Sequence, residues 1–311
     1  MSSLLPTLVP IFGLMALGYA AARVGLIEEA GARGLVLFVF NFSIPSLLLT
    51  SMAGLELPDD PDWRFLVAFY AGSFVAYALG VLAGRLLFGR PLREQAIFGM
   101  GSAFSNLVLI GIPVVLTALG PQASLPMLAI IGLHSATFMP LTVLLIQADG
   151  AEGASLGRRA LALALDVLRN PIILGILAGL LVNVSGVTLW VPVLSILDLL
   201  GAAAVPCALF AMGASLAAIS LRGDPGPGLL VSSIKLVVHP LSVWLIAVPV
   251  LGAGGLGVKV AVVMAALPSA VNVYLFGERY RAAAGVAART VLLTTLGSAV
   301  TLSLVLLLMG A

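Results

Sequence analysis

The sequence predicts an all-α integral membrane protein: ten transmembrane helices in two five-helix repeats that enter the membrane in opposite directions. Three observations carry that expectation. Of 311 residues, 61% are hydrophobic and 9% are charged, whereas soluble domains carry roughly 25% charged residues. The mean hydropathy is +1.19. Polar groups could not cover a water-soluble body of this size, so lipid is the solvent. Second, the chain divides into ten apolar stretches, near 4–23, 34–53, 65–88, 96–119, 125–147, 171–187, 195–219, 229–251, 258–276 and 285–309. A hydrocarbon core of about 30 Å needs about 20 helical residues. These runs are too long and continuous for barrel strands, which alternate over about 10 residues. Third, the halves match without gaps at an offset of 161 residues. Pro10 pairs with Pro171, Gly18 with Gly179, Gly25 with Gly186 and Pro45 with Pro206. Each half holds five spans, an odd number, so the second half is inverted.

Residues 1–22 carry no charged side chain. They lack the basic start of a cleaved signal peptide and read as the first span. The loops then set the orientation through their Lys and Arg. On one side lie Arg23, Arg33, Arg85, Arg90, Arg93, Arg158, Arg159, Arg169, Arg222, Arg279, Arg281 and Arg289, 12 of the 15 basic residues. That side is expected to be cytoplasmic, with both termini outside and the chain in the inner (plasma) membrane. The acidic loop 56–62 falls outside, and Trp63 and Trp190 lie at the outer interface as belt aromatics. Residues 1–148 form the first repeat and 170–311 the second. The linker 149–169 holds an expected interfacial helix at 154–168. The pairs Gly80/Gly84 and Gly175/Gly179 read as close helix contacts.

Other classes are disfavoured by what is missing. A net charge of +2 and scattered basic residues make no nucleic-acid footprint. The single cysteine, Cys207, excludes an internal disulfide and a cysteine zinc site. No metal site and no cofactor are expected. The chain contains no His-Glu-x-x-His and no paired intramembrane carboxylates, so an enzyme is disfavoured. A channel or receptor would need a sensor domain or a charged ring. A ten-span drug/metabolite exporter is the nearer rival, but such proteins keep both termini inside, against the Arg bias here.

The chemistry is expected where matching spans are interrupted. Span 4 carries Ser105, Asn106 and Pro113, and span 9 carries Pro268, Ser269 and Asn272. Proline removes a donor and frees the carbonyl four residues earlier, and backbone freed in hydrocarbon must find partners or line a wet cavity. Two breaks meeting near the pseudo-two-fold axis would bring half-helix N-termini together, where an anion can be held without Arg or Lys.

These stretches, Phe104 to Gly120 above all, resemble the auxin efflux carrier (PIN-like) family. Asn41 to Pro45, Pro268 to Asn272 and Glu278-Arg279-Tyr280 resemble that family's second- and ninth-helix motifs. The resemblance covers essentially the whole chain. It implies the ten-helix fold shared with bile-acid sodium symporters: spans 1, 2, 6 and 7 as scaffold, spans 3–5 and 8–10 as a moving transport domain, and broken spans 4 and 9 crossing at their prolines. It implies alternating-access transport of a small organic anion, auxin-like or a malonate-like dicarboxylate, with Asn106, Pro113, Pro268 and Asn272 at the crossover. In span 4 the Asn precedes its Pro by seven residues, whereas in span 9 it follows by four, so the half-sites need not be equivalent.

Further candidates are scattered along the spans. Asn41 either lines the cavity between scaffold and transport domain or makes a helix–helix bond. His134 either carries a coupling proton or is a neutral histidine bonded in the bundle. Thr294 and Ser298 lie on a polar stripe of span 10 that could ligate sodium through hydroxyls or bond its own helix. Lys235 is expected to snorkel to the cytoplasmic face, and His239, before Pro240, to bond a freed carbonyl. Sodium or proton coupling, the direction of transport and a homodimer are left open.

Overall fold

The computed structural model describes residues 5–54, 62–148, 171–218 and 224–310. The expected interfacial helix at 154–168, Arg158, Arg159, Arg169 and Arg222, and the acidic residues Glu56, Asp59 and Asp60 lie outside the described residues. The described residues are helical almost throughout, and Ser105 and Ser269 form an isolated antiparallel bridge.

Helix α1 covers Leu5–Arg23 and α2 covers Glu29–Ala53. Next come α3 (Arg64–Leu86), α4 (Leu92–Ala103), α5 (Leu107–Leu119) and α6 (Pro121–Ala148). After the linker come α7 (Pro171–Ser185), α8 (Val191–Ala217) and α9 (Pro225–Val250). The chain closes with α10 (Gly255–Ala266), α11 (Val271–Arg279) and α12 (Ala284–Leu308). Six of these, α2, α3, α6, α8, α9 and α12, are long and apolar enough to cross a membrane. The chain is thus a multi-pass membrane protein. Several helices begin earlier than the apolar stretches do, α2 at Glu29 and α9 at Pro225. Their first turns carry charged or turn-forming residues that hydropathy reads as loop.

Prolines shape the helices in a repeated way. Wider π turns at Val39–Ser43, Leu107–Gly111 and Ile234–Val238 each end two residues before a proline, Pro45, Pro113 and Pro240. A proline ring would strike the carbonyl four residues earlier in a regular helix. The wider turn, in which Ile44 N–H reaches the Val39 carbonyl, makes room for it.

Glycines set the closest helix contacts. A Cβ on Gly18 of α1 would strike the Phe210 carbonyl of α8, and one on Gly213 the Met15 carbonyl. Across the molecule, Gly179 of α7 faces the Leu49 carbonyl of α2, with 2.5 Å to where a Cβ would stand, and Gly175 faces Pro45. Gly80 seats α3 on α4 beside the Phe98 carbonyl. Helices α1 and α7 also stop alike. Gly25 (φ 77) and Gly186 (φ 66) take the left-handed conformation that commonly ends a helix, and their N–H groups reach Ala22 and Asn183 at 3.2 Å. Tyr70 O–H donates to the Ile130 carbonyl at 2.7 Å, tying α3 to α6.

Candidate functional site

The break between α4 and α5 falls at Phe104–Asn106, and that between α10 and α11 at Leu267–Ala270. The two extended segments lie antiparallel. Asn106 N–H donates to the Pro268 carbonyl at 2.9 Å, and Ala270 N–H to the Phe104 carbonyl at 3.1 Å. Each break thereby satisfies backbone groups of the other, as groups freed within a membrane require.

The remaining freed groups are met by neighbouring helices. Ser105 N–H donates to His134 Nε2 of α6 at 3.2 Å, and Ser269 N–H to Thr294 Oγ1 of α12 at 3.0 Å. Ser269 Oγ–H donates to the Gly101 carbonyl at 2.6 Å. At the carboxyl end of α10, Lys235 Nζ donates to the carbonyls of Ala265 and Leu267 at 2.7 and 2.6 Å. His239 Nδ1 lies 3.2 Å from the same Nζ. Two carbonyls and a ring nitrogen thus surround Nζ. His239 Nε2 in turn lies 2.7 Å from Ser73 Oγ.

The structure therefore corrects two expectations. Lys235 does not snorkel: it is fully buried. Helix α9 begins at Pro225, so ten residues, about 15 Å at 1.5 Å per residue, separate Lys235 from the helix start. The side chain finds open carbonyls at the break instead. His239 bonds Ser73 and Lys235 and not a carbonyl freed by Pro240; the π turn already accommodates that proline.

A cavity of about 830 Å³ opens onto the crossing. Its wall includes Ser105, Asn106, His134, Ser135 and Asn272, and apolar side chains such as Phe40 and Ile131. Arg23, Glu28, Glu29 and Arg33, all exposed, line its outer part, with Arg33 paired to Glu29 at 2.8 Å. Both half-helix N-termini, α5 and α11, contribute to the wall. Asn106 caps α5: its Oδ1 accepts from Leu109 N–H at 3.2 Å, as Asn commonly does at a helix start. Its Nδ2 reaches Met212 Sδ of α8 at 3.3 Å. Asn272 is half-buried.

The other candidates stand as follows. Pro268 lies within its break. Pro113 does not: it sits in the first regular turn after the π turn of α5, where a missing N–H costs little. Asn41 is exposed and donates to the Leu37 carbonyl of its own helix at 2.7 Å, away from the cavity wall. Ser298 is buried and donates to the Thr295 carbonyl of its own helix at 2.8 Å. Sequence reasoning missed Met212 and the charged residues around the cavity. The signal for Lys235 was present: a lysine deep in an apolar run, four residues from a histidine.

Residues 3–306 match the family described as membrane transport protein. A protein named "Putative malonate transporter" from Rhizobium meliloti (strain 1021) is 30% identical over 309 residues, 97% of this chain and 95% of that protein. An "Uncharacterized transporter" of Methanothermobacter thermautotrophicus is 27% identical over 270 residues, 85% of this chain and 84% of that one. The "Lysosomal cholesterol signaling protein" of Mus musculus is 31% identical over 115 residues, 36% of this chain and 13% of that protein. Two broken helices meet over a cavity among membrane-length apolar helices, and the family match runs nearly end to end: this chain belongs to the membrane transport protein family, that of the auxin efflux carriers, and is a membrane transporter, not an enzyme.

Proposed function

We propose that the chain is a secondary transporter of a small organic anion, a malonate-like dicarboxylate or an auxin-like monocarboxylate, working by alternating access. The observation that carries this is the crossing itself. Two half-helix N-termini and the amides of Asn106 and Asn272 border one cavity of about 830 Å³. The carboxylates in its wall, Glu28 and Glu29, sit in the turn before α2 and at its first residue. Helix N-termini and amide donors favour negative charge.

In this reading α4–α5 and α10–α11 each cross the membrane once as a broken helix, giving ten crossings in two inverted repeats. The glycine contacts support it. Gly18 against Phe210 and Gly179 against Leu49 exchange places under the 161-residue offset, as do the left-handed ends at Gly25 and Gly186. Helices α1, α2, α7 and α8 form the scaffold, and α3–α6 with α9–α12 the moving body. The cavity opens beside Arg23 and Arg33, on the basic and therefore cytoplasmic side, with both termini outside.

The test is uptake of labelled malonate and of auxin-like monocarboxylates into proteoliposomes, with Asn106→Ala and Asn272→Ala beside wild type. The expected result is saturable uptake by wild type and its loss in both variants. No uptake of any carboxylate by wild type would overturn the substrate class; normal uptake by both variants would overturn the site.

A further inference from the structure

Two buried hydrogen-bonding atoms in the cavity wall have no partner, His134 Nδ1 and Ser105 Oγ. Both residues line the cavity, and each is 2% exposed. They are neighbours, because His134 Nε2 accepts from Ser105 N–H. That bond fixes the tautomer: in the neutral ring the proton sits on Nδ1, which is then a donor. The ring is also clamped. It stacks on Phe104 with centres 4.6 Å apart, and Phe138 and Phe69 flank it at 5.2 and 5.7 Å. His134 therefore cannot turn to another partner without losing the Ser105 contact. A buried donor left unbonded destabilises a fold. Here one stands beside a hydroxyl in the same state, in the wall that both breaks share.

We propose that His134 Nδ1–H and Ser105 Oγ–H bind substrate directly, each donating to a carboxylate oxygen of the transported anion. This rests on the organic-anion reading above and deepens it. Donors without a partner suit the oxygens of a carboxylate, and bonds to an ionised acceptor are roughly twice as strong as neutral ones. The imidazole accepts through Nε2 only toward Ser105 N–H, so a cationic ligand finds no lone pair on it. Neither donor atom is open to water in this conformation. Contact therefore belongs to the state in which the wall has adjusted around the anion, which couples binding to the conformational change that transport needs.

Two substitutions separate this role from a structural one. In His134→Gln the side-chain oxygen can stand where Nε2 stood and keep the acceptor for Ser105 N–H, while nothing replaces Nδ1–H. In His134→Asn the amide nitrogen can take the place of Nδ1 and keep the donor, while the acceptor is lost. Malonate binding to each purified protein is measured by isothermal titration calorimetry, with melting temperature measured alongside and malonamide as the uncharged isostere. The expected result is that His134→Gln melts like wild type but binds malonate about tenfold or more weakly. His134→Asn should melt lower yet bind more tightly than His134→Gln. Ser105→Ala, which leaves the backbone bonds intact, should weaken malonate and leave malonamide unchanged. Wild type that binds malonate while His134→Gln and Ser105→Ala bind it equally well overturns this assignment alone. Wild type that binds neither malonate nor any monocarboxylate overturns the organic-anion reading, and this assignment with it.

Discussion

Lys235→Met tests how the carboxyl end of α10 is held open. The lysine donates to the Ala265 and Leu267 carbonyls at 2.7 and 2.6 Å and lies 3.2 Å from His239 Nδ1. Methionine fills nearly the same volume, so the packing change is small. What is lost is bonding. Two buried carbonyls are left unsatisfied, at about 1–3 kcal/mol each, or about 2–6 kcal/mol in all. The opposing term is the Nζ group that no longer needs to be desolvated. In wild type that penalty is already offset by the two carbonyls and the His239 ring nitrogen, and removing one side of a compensated set is the destabilising case. With about 2–4 °C of Tm per kcal/mol in chains of a few hundred residues, the purified variant should melt at least about 4 °C below wild type. Lys235→Gln keeps two amide donors and should recover part of the loss. A Lys235→Met protein that melts within about 1 °C of wild type and transports normally would refute the reasoning, given that scale.

Other substitutions separate structure from transport. Asn272→Ala removes a side chain whose amide has no hydrogen bond among the described residues, so stability should change by no more than about 0.5 kcal/mol while malonate uptake into proteoliposomes is lost. Asn106→Ala removes a helix cap as well, and a melting curve should show a further cost of about 1 kcal/mol. Thr294→Val leaves Ser269 N–H buried without its acceptor and should cost about 1–3 kcal/mol; Thr294→Ser, which retains the hydroxyl, should melt close to wild type. Gly213→Leu places a side chain against the Met15 carbonyl of α1, and size-exclusion chromatography should show aggregation or loss of the folded peak.

The helical, membrane-embedded character of the chain was legible because apolar length is a one-dimensional property that survives in sequence. The positions of both breaks were nearly legible, since Pro, Ser and Asn cluster there. Pro113 misled, because a π turn absorbs a proline locally and the chain opens seven residues earlier, at Asn106. Asn41 misled in the same way: its amide is taken by the carbonyl of Leu37, within the same helix. The partners of the breaks were not legible. His134, Thr294 and Lys235 reach them from 25 to 32 residues away, and no local period links such positions. A lysine in an apolar run reads equally as a snorkelling end or as a buried donor. The difference is how far the helix extends before it, which Pro225 and its neighbours, being turn-formers, conceal.

The distribution of these bonds bears on how the proposed transporter moves. Ser105 N–H is met from α6, Ser269 N–H from α12, and the α10 carbonyls from α9. The two breaks also bond each other. In the proposed motion the acceptors and donors at the crossing would travel with α3–α6 and α9–α12. Toward α8 the crossing offers the Asn106 amide to the Met212 thioether, a weak acceptor. Pulling the crossing apart would bury several unpaired backbone groups at once, at about 1–3 kcal/mol each. Sliding the whole hydrogen-bonded body past α1, α2, α7 and α8 would exchange apolar contacts and that weak bond. Displacement of an intact crossing is therefore the lower-energy route, and the cavity, bordered by both bodies, is the space that such a displacement changes.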